Sequence, residues 1–85
     1  MSTYFLINKQ TDLIENCVEW DGNQETWQPP ENFLVLLGDI ERTEIIWTWN
    51  EELQDWVQEE TVGFGSIGET WDGEKFIEPK PTVNP

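Results

Sequence analysis

Four features of this chain have residue types or spacings that could do chemistry. Gly63-x-Gly65-x-x-Gly68 spells the dinucleotide fingerprint, in which glycine backbone cradles a pyrophosphate. That chemistry also needs a strand before the loop, a helix after it and an acidic residue about 20 positions on. Only 17 residues follow Gly68, and they hold another turn and a proline-rich end, so nucleotide binding is not expected. Asp21-x-Asn23-x-Glu25 opens like a calcium loop but lacks Gly at the sixth position and Glu at the twelfth. It reads as a solvated hairpin tip, and Asp72 with Glu74 is a weaker match still. Carboxylates are abundant, yet no pair stands among apolar neighbours that would raise one pKa for acid-base work. Cys17 has no His anywhere in the chain to activate it and reads as a small residue near the core edge. No catalytic, cofactor-binding or metal-ligating residue is therefore expected.

The balance of charge narrows the partners. Eighteen acidic residues against four basic ones give a net charge of -14, which makes phosphate backbones and anionic membranes poor partners. A single cysteine excludes an internal disulfide, and no apolar run is long enough for a signal segment or a membrane span, so a protein made in the cytoplasm is expected. With 85 residues the chain makes one domain that buries only about 60 to 65% of its unfolded surface, which favours self-association or a partner. Six Trp, four Phe and one Tyr must fill most of the core. The same rings could stack sugars, but a small β protein this poor in other large side chains needs them inside.

The elements that must position these residues read as strands. Ile45, Trp47 and Trp49 alternate on one face, Asn50 to Leu53 turn, and Trp56 and Val57 resume, which predicts a central hairpin from Ile45 to Gln58. Tyr4 to Ile7 starts a first strand, and Asn8 to Asp12 forms a loop. Strict alternation over 13–20 puts Ile14, Asn16, Val18 and Trp20 on one face, Leu13, Glu15, Cys17 and Glu19 on the other. Asp21-Gly22 predicts a tight turn with Trp27 as a cross-strand partner of Trp20, after which Gln28-Pro29-Pro30 must leave the sheet. Phe33 to Leu37 predicts a strand covered on both sides, preferred over a helical turn on its length and β-propensity. The glycines at 63, 65 and 68 predict a bend where backbone passes close to a bulky group, a Trp face in the first place. Trp71-Asp72-Gly73 to Phe76 repeats the device of ring, turn and ring, making a weak internal repeat with 20–27 and 49–56. Residues 79–85, with Pro79, Pro81 and Pro85, predict an extended tail that lies on a neighbouring chain.

The phrases V-E-W-D-G with W-Q-P-P (18–22, 27–30), I-W-T-W-N (46–50), W-V-Q-E-E (56–60) and I-G-E-T-W-D-G-E-K-F with P-K-P (67–76, 79–81) carry a resemblance. Over residues 14–81 the chain resembles short virion-associated proteins of marine tailed bacteriophages, cyanophages especially. It is also similar to the ends of phage tail-fibre and tail-fibre-assembly proteins that carry I-G-x-x-[WY]-D-G-x-x-F before a Pro. The resemblance implies a non-enzymatic virion component, in capsid decoration, neck or tail appendage, present in multiple or symmetric copies with other virion proteins as partners.

The expectation is thus one all-β domain over residues 1–78, a small antiparallel barrel or sandwich of about five to seven short strands, followed by the 79–85 tail. Its expected contact residues are Trp27, Pro29, Pro30, Trp71, Phe76, Pro79 and Pro81. Two other functions remain open: an acidic mimic of nucleic acid that inhibits a host protein, and a carbohydrate-binding module at a tail tip.

Overall fold

The computed structural model describes residues 2–84; Met1 and Pro85 lie outside them. Among the described residues, seven strands and no helix form two open sheets: β1 (Ser2–Asn8), β2 (Ile14–Trp20) and β3 (Phe33–Leu37) in the order β2-β1-β3, and β4 (Arg42–Asn50), β5 (Asp55–Gly63), β6 (Thr70–Trp71) and β7 (Phe76–Ile77) in the order β5-β4-β7-β6. The all-β expectation and the strand number hold. No barrel closes, and the pairing is not wholly antiparallel, because β7 lies parallel to β4.

The 45–58 hairpin forms and is longer at both ends than its alternation suggested. Trp49 pairs with Trp56 around a turn at 51–54, and the ladder continues to Arg42 opposite Gly63. The Trp49 and Trp56 rings meet edge to face at 5.5 Å, a cross-strand contact of the kind that sets register. This hairpin is not the centre of the core, however. The buried cluster is Phe5, Ile7, Ile14, Trp71 and Phe76, with Leu36 packed against it. Burying each of these large side chains contributes about 1.5 to 3 kcal/mol.

Ile14 reaches that cluster through a bulge. Leu6 pairs with Asn16 but Ile7 with Ile14, so Glu15 drops out of the ladder. One extra residue moves Ile14 from the Val18 face, where strict alternation put it, to the face of Phe5 and Ile7. Glu15 turns its carboxylate outward to the Asn8 amide at 2.8 Å. Cys17 is exposed, not at the core edge.

Trp20-Asp21-Gly22 does not make a hairpin. No strand comes directly after it; residues 21–32 leave the sheet, and β3 returns to pair with β1 instead of β2. Trp27 still meets Trp20, edge to face at 5.4 Å, and Tyr4 also meets Trp20 edge to face, at 5.2 Å. Of the three repeat units, only 49–56 and 71–76 are hairpins. β3 is less covered than expected, since Leu34 is exposed.

The sheets meet at one end. Leu13 bridges Thr70, the Ile14 amide donates to the Glu69 carbonyl at 2.9 Å, and the Trp71 amide donates to the Asp12 carbonyl at 2.9 Å. Arg42 completes the joint: its guanidinium donates to the Leu37 carbonyl at 2.7 Å and stacks 5.5 Å from the Trp71 ring centre. The result is a body with extents of 54 × 23 × 20 Å.

Candidate functional site

The expected contact residues separate into three places. Trp71 and Phe76 are 9% and 0% exposed and pack on each other at 4.9 Å, so they are core and cannot meet a partner. The ring-turn-ring device that suggested a contact surface exists to bury these two rings. Trp27, at 36% exposure, sits with half-buried Pro29 and exposed Pro30 on the 21–32 excursion. Pro79 is exposed and Pro81 half-buried in the tail.

That tail is held by its own chain. The Glu78 amide donates to the Ile45 carbonyl at 3.0 Å, so β7 prolongs its parallel course beside β4. Trp47 Nε1 donates to the Glu78 carbonyl at 2.9 Å and Trp56 Nε1 to the Val83 carbonyl at 3.0 Å. Lys80 lies 5.4 Å from the Trp47 ring centre and 3.9 Å from Asp55. Residues 78–83 therefore lie across the Trp face of the β4–β5 hairpin of their own chain, where the sequence reading had the tail on a neighbouring chain. Trp47, Trp49 and Trp56 are all partly buried.

The decoy motifs have structural reasons. In the 21–25 loop, Asp21 Oδ1 accepts the Asn23 amide at 2.9 Å and Asn23 Oδ1 accepts the Glu25 amide at 2.9 Å, two Asx turns that use the carboxylate and amide oxygens internally. The Asn23 amide is the main cause of a lowered Asp21 pKa. Asp72 Oδ1 likewise accepts the Glu74 and Lys75 amides at 2.9 Å each, which lowers its pKa. In the glycine run, Gly65 has φ +85°, and a Cβ there would sit 2.8 Å from the Phe76 ring. The close approach is real; the ring is Phe76, not a Trp.

What sequence reasoning missed is a carboxylate cluster. Glu44 of β4, Glu69 before β6 and Glu78 after β7 bring one oxygen each to within 4.8 Å of one another. Each is fixed by a different contact. Glu44 sits in the ladder opposite Thr61 and Phe76. Glu78 is held by its two backbone bonds to Ile45 and Trp47. Glu69 is 3% exposed; its Oε1 accepts the Ser66 amide at 2.6 Å and the Ser66 hydroxyl at 3.1 Å. Its Oε2 is buried without a hydrogen-bond partner among the described residues. The ion pairs of the described residues, Lys75–Asp72 and Lys80–Asp55, lie elsewhere.

So much negative charge in one place favours a proton. Hydrogen bonding to Glu69, ahead of burial and the charges of Glu69 and Glu78, raises the Glu44 carboxyl to about 7. Glu44 is thus a perturbed carboxylate that the sequence did not betray. Gly63 contributes space: a Cβ on it would collide with the Glu44 carboxylate.

Compared with family models, with curated proteins and with solved structures, the chain matches none.

Proposed function

We propose that this chain is a non-enzymatic structural protein of a bacteriophage particle, attached to capsid or tail as a decoration, neck or appendage component. The observation that supports this reading is the open flank of β5. Nine residues, Asp55–Gly63, form the edge of the larger sheet, with no strand beyond them among the described residues. Such an edge offers a row of main-chain donors and acceptors to another chain, and exposed Val62 and Phe64 at its end add apolar contact. The net charge of -14 suits a neutral or basic receiving surface. Repeated copies along a shell or tail would add contact area without chemistry. The protein would be made in the host cytoplasm and end in the virion.

The two other readings have less behind them. Fourteen net charges on a body 54 Å long amount to one per about 4 Å, less than half the density of duplex DNA at about 1.7 Å per charge. For sugar stacking, Trp71 is core, Trp47 and Trp56 are under the tail, and Trp20 is flanked by two rings. Mass spectrometry of purified particles tests the virion reading. Peptides at high stoichiometry indicate the shell and at low stoichiometry the tail; their absence overturns it.

A further inference from the structure

We propose that Glu44, Glu69 and Glu78 form a binding site for one divalent, oxygen-seeking cation of the Ca2+ class. Three observations carry this. The first is the buried Oε2 of Glu69, a residue 3% exposed: among the described residues no N–H or hydroxyl reaches it, so with Glu44 ionised it has no donor. An uncompensated buried carboxylate oxygen is costly, and a cation is the partner that removes the cost. The second is spacing. Three oxygens within 4.8 Å of one another need only small side-chain adjustments to reach the 2.3 to 2.6 Å of Ca–O bonds around a single ion. Mg2+ demands near-octahedral order and gives up its water reluctantly, so it fits less well. The third is Gly63, whose missing side chain leaves the room that the Glu44 carboxylate occupies. Gly63 has no left-handed φ to explain its identity.

One shared proton neutralises one charge of the three; a divalent cation neutralises two and binds all three side chains at once. All-oxygen donors select a hard cation over zinc or copper. Three protein carboxylates leave the remaining coordination positions to water, which places affinity at the weak end, a Kd of about 10⁻⁴ M. The ligands come from β4 and from the segments flanking β6 and β7, so the ion would clasp the part of the larger sheet that adjoins the sheet junction.

The test uses the full chain, stripped with chelator and then given CaCl2, MnCl2 or MgCl2. About 1 mM CaCl2 should raise Tm by roughly 5 to 10 °C, with Mn2+ close behind and Mg2+ weaker. Glu69→Gln and Glu78→Gln should each lower Ca2+ affinity at least tenfold by calorimetry, while Glu51→Gln in the hairpin turn leaves it unchanged. Gly63→Ala, which displaces the flexible end of Glu44, should weaken binding with little loss of fold. Should a variant fail to fold, the parent protein still decides. Mn2+ broadening of amide resonances centred on 44, 69 and 78 supports the site. Broadening spread over Glu51, Glu52, Glu59 and Glu60, no Tm rise with any cation, or equal affinity in Glu69→Gln and Glu51→Gln overturns it.

Discussion

Gly65→Ala should be far more damaging than Gly68→Ala, although both glycines lie in one loop and both have positive φ, +85° and +99°. At Gly68 a Cβ meets nothing within 4 Å, so the substitution carries only backbone strain, about 1 to 2 kcal/mol, partly offset by a less flexible unfolded chain. At Gly65 the Cβ would lie 2.8 to 2.9 Å from three Phe76 ring atoms, closer than carbon atoms approach. Phe76 is fully buried and wedged between Phe5 and Trp71, at 5.9 and 4.9 Å, so the ring cannot swing away. Overpacking of this kind adds about 1 to 3 kcal/mol. The expected totals are about 1 kcal/mol for Gly68→Ala and about 2 to 4 kcal/mol for Gly65→Ala, a large share of a small domain's stability. Urea unfolding followed by Trp fluorescence measures both. With m near 1 kcal/mol/M the midpoints fall by about 1 M and about 2 to 4 M. Phe76→Leu should partly rescue Gly65→Ala, giving a coupling of about 1 kcal/mol or more in a double-mutant cycle. Equal midpoints for the two glycine variants, or additivity with Phe76→Leu, would refute this account of the loop.

Deleting residues 79–85 removes the Trp56–Val83 hydrogen bond and the Lys80 contact with the Trp47 ring; a loss of about 1 to 2 kcal/mol, a red-shifted Trp emission and concentration-dependent association are expected by fluorescence and light scattering. An unchanged Tm and spectrum would mean that the tail does not cover the hairpin. Asp72→Ala should cost about 1 kcal/mol because two turn amides lose their acceptor, while Glu51→Gln stays within about 0.5 kcal/mol; equal Tm values count against this. In chelator, stability should fall with rising pH. Folded Glu44 holds its proton to about 7 against 4.5 ordinarily, so its contribution is full below pH 4.5 and lost as pH passes through 7. Because Glu44 is partly exposed, we expect about 1 kcal/mol between pH 5 and 8. Glu44→Gln should flatten that part of the profile, and an unchanged slope would sink the assignment.

What could be read from the chain was local. Period-two alternation with Trp at 47, 49 and 56 specified the hairpin but not its register, since the expected turn at 50–53 lies at 51–54, and ring, Asp-Gly and ring at 71–76 specified the second one. The same signal at 20–27 misled. An Asp-Gly turn is equally at home in a loop stabilised by Asx bonds, and the Pro29-Pro30 pair just beyond Trp27 cannot join a ladder. The bulge at Glu15 was invisible, since an extra residue leaves composition unchanged while reversing which face Ile14 takes. Three things depended on contacts distant in sequence: β7 beside β4, the tail on its own hairpin, and the carboxylate cluster. Glu44, Glu69 and Glu78 are three of eighteen acidic residues with no common spacing. Only the topology distinguishes them from their solvated neighbours.

The joint between the sheets has a kinetic consequence. Its core unites Phe5, Ile7 and Ile14 with Trp71 and Phe76, and its bonds join Asp12 and Ile14 to Trp71 and Glu69. Neither the first three strands nor the last four own a complete interior. Neither half is therefore expected to persist alone, and the chain should unfold in a single transition, by calorimetry as by fluorescence. Closing so long a loop before its contacts form is slow, which puts folding in the millisecond-to-second range of β proteins rich in distant pairings. The 21–32 excursion is mostly exposed and makes no strand of its own. A protease nick there should leave two pieces that stay associated through the joint and reassemble after separation.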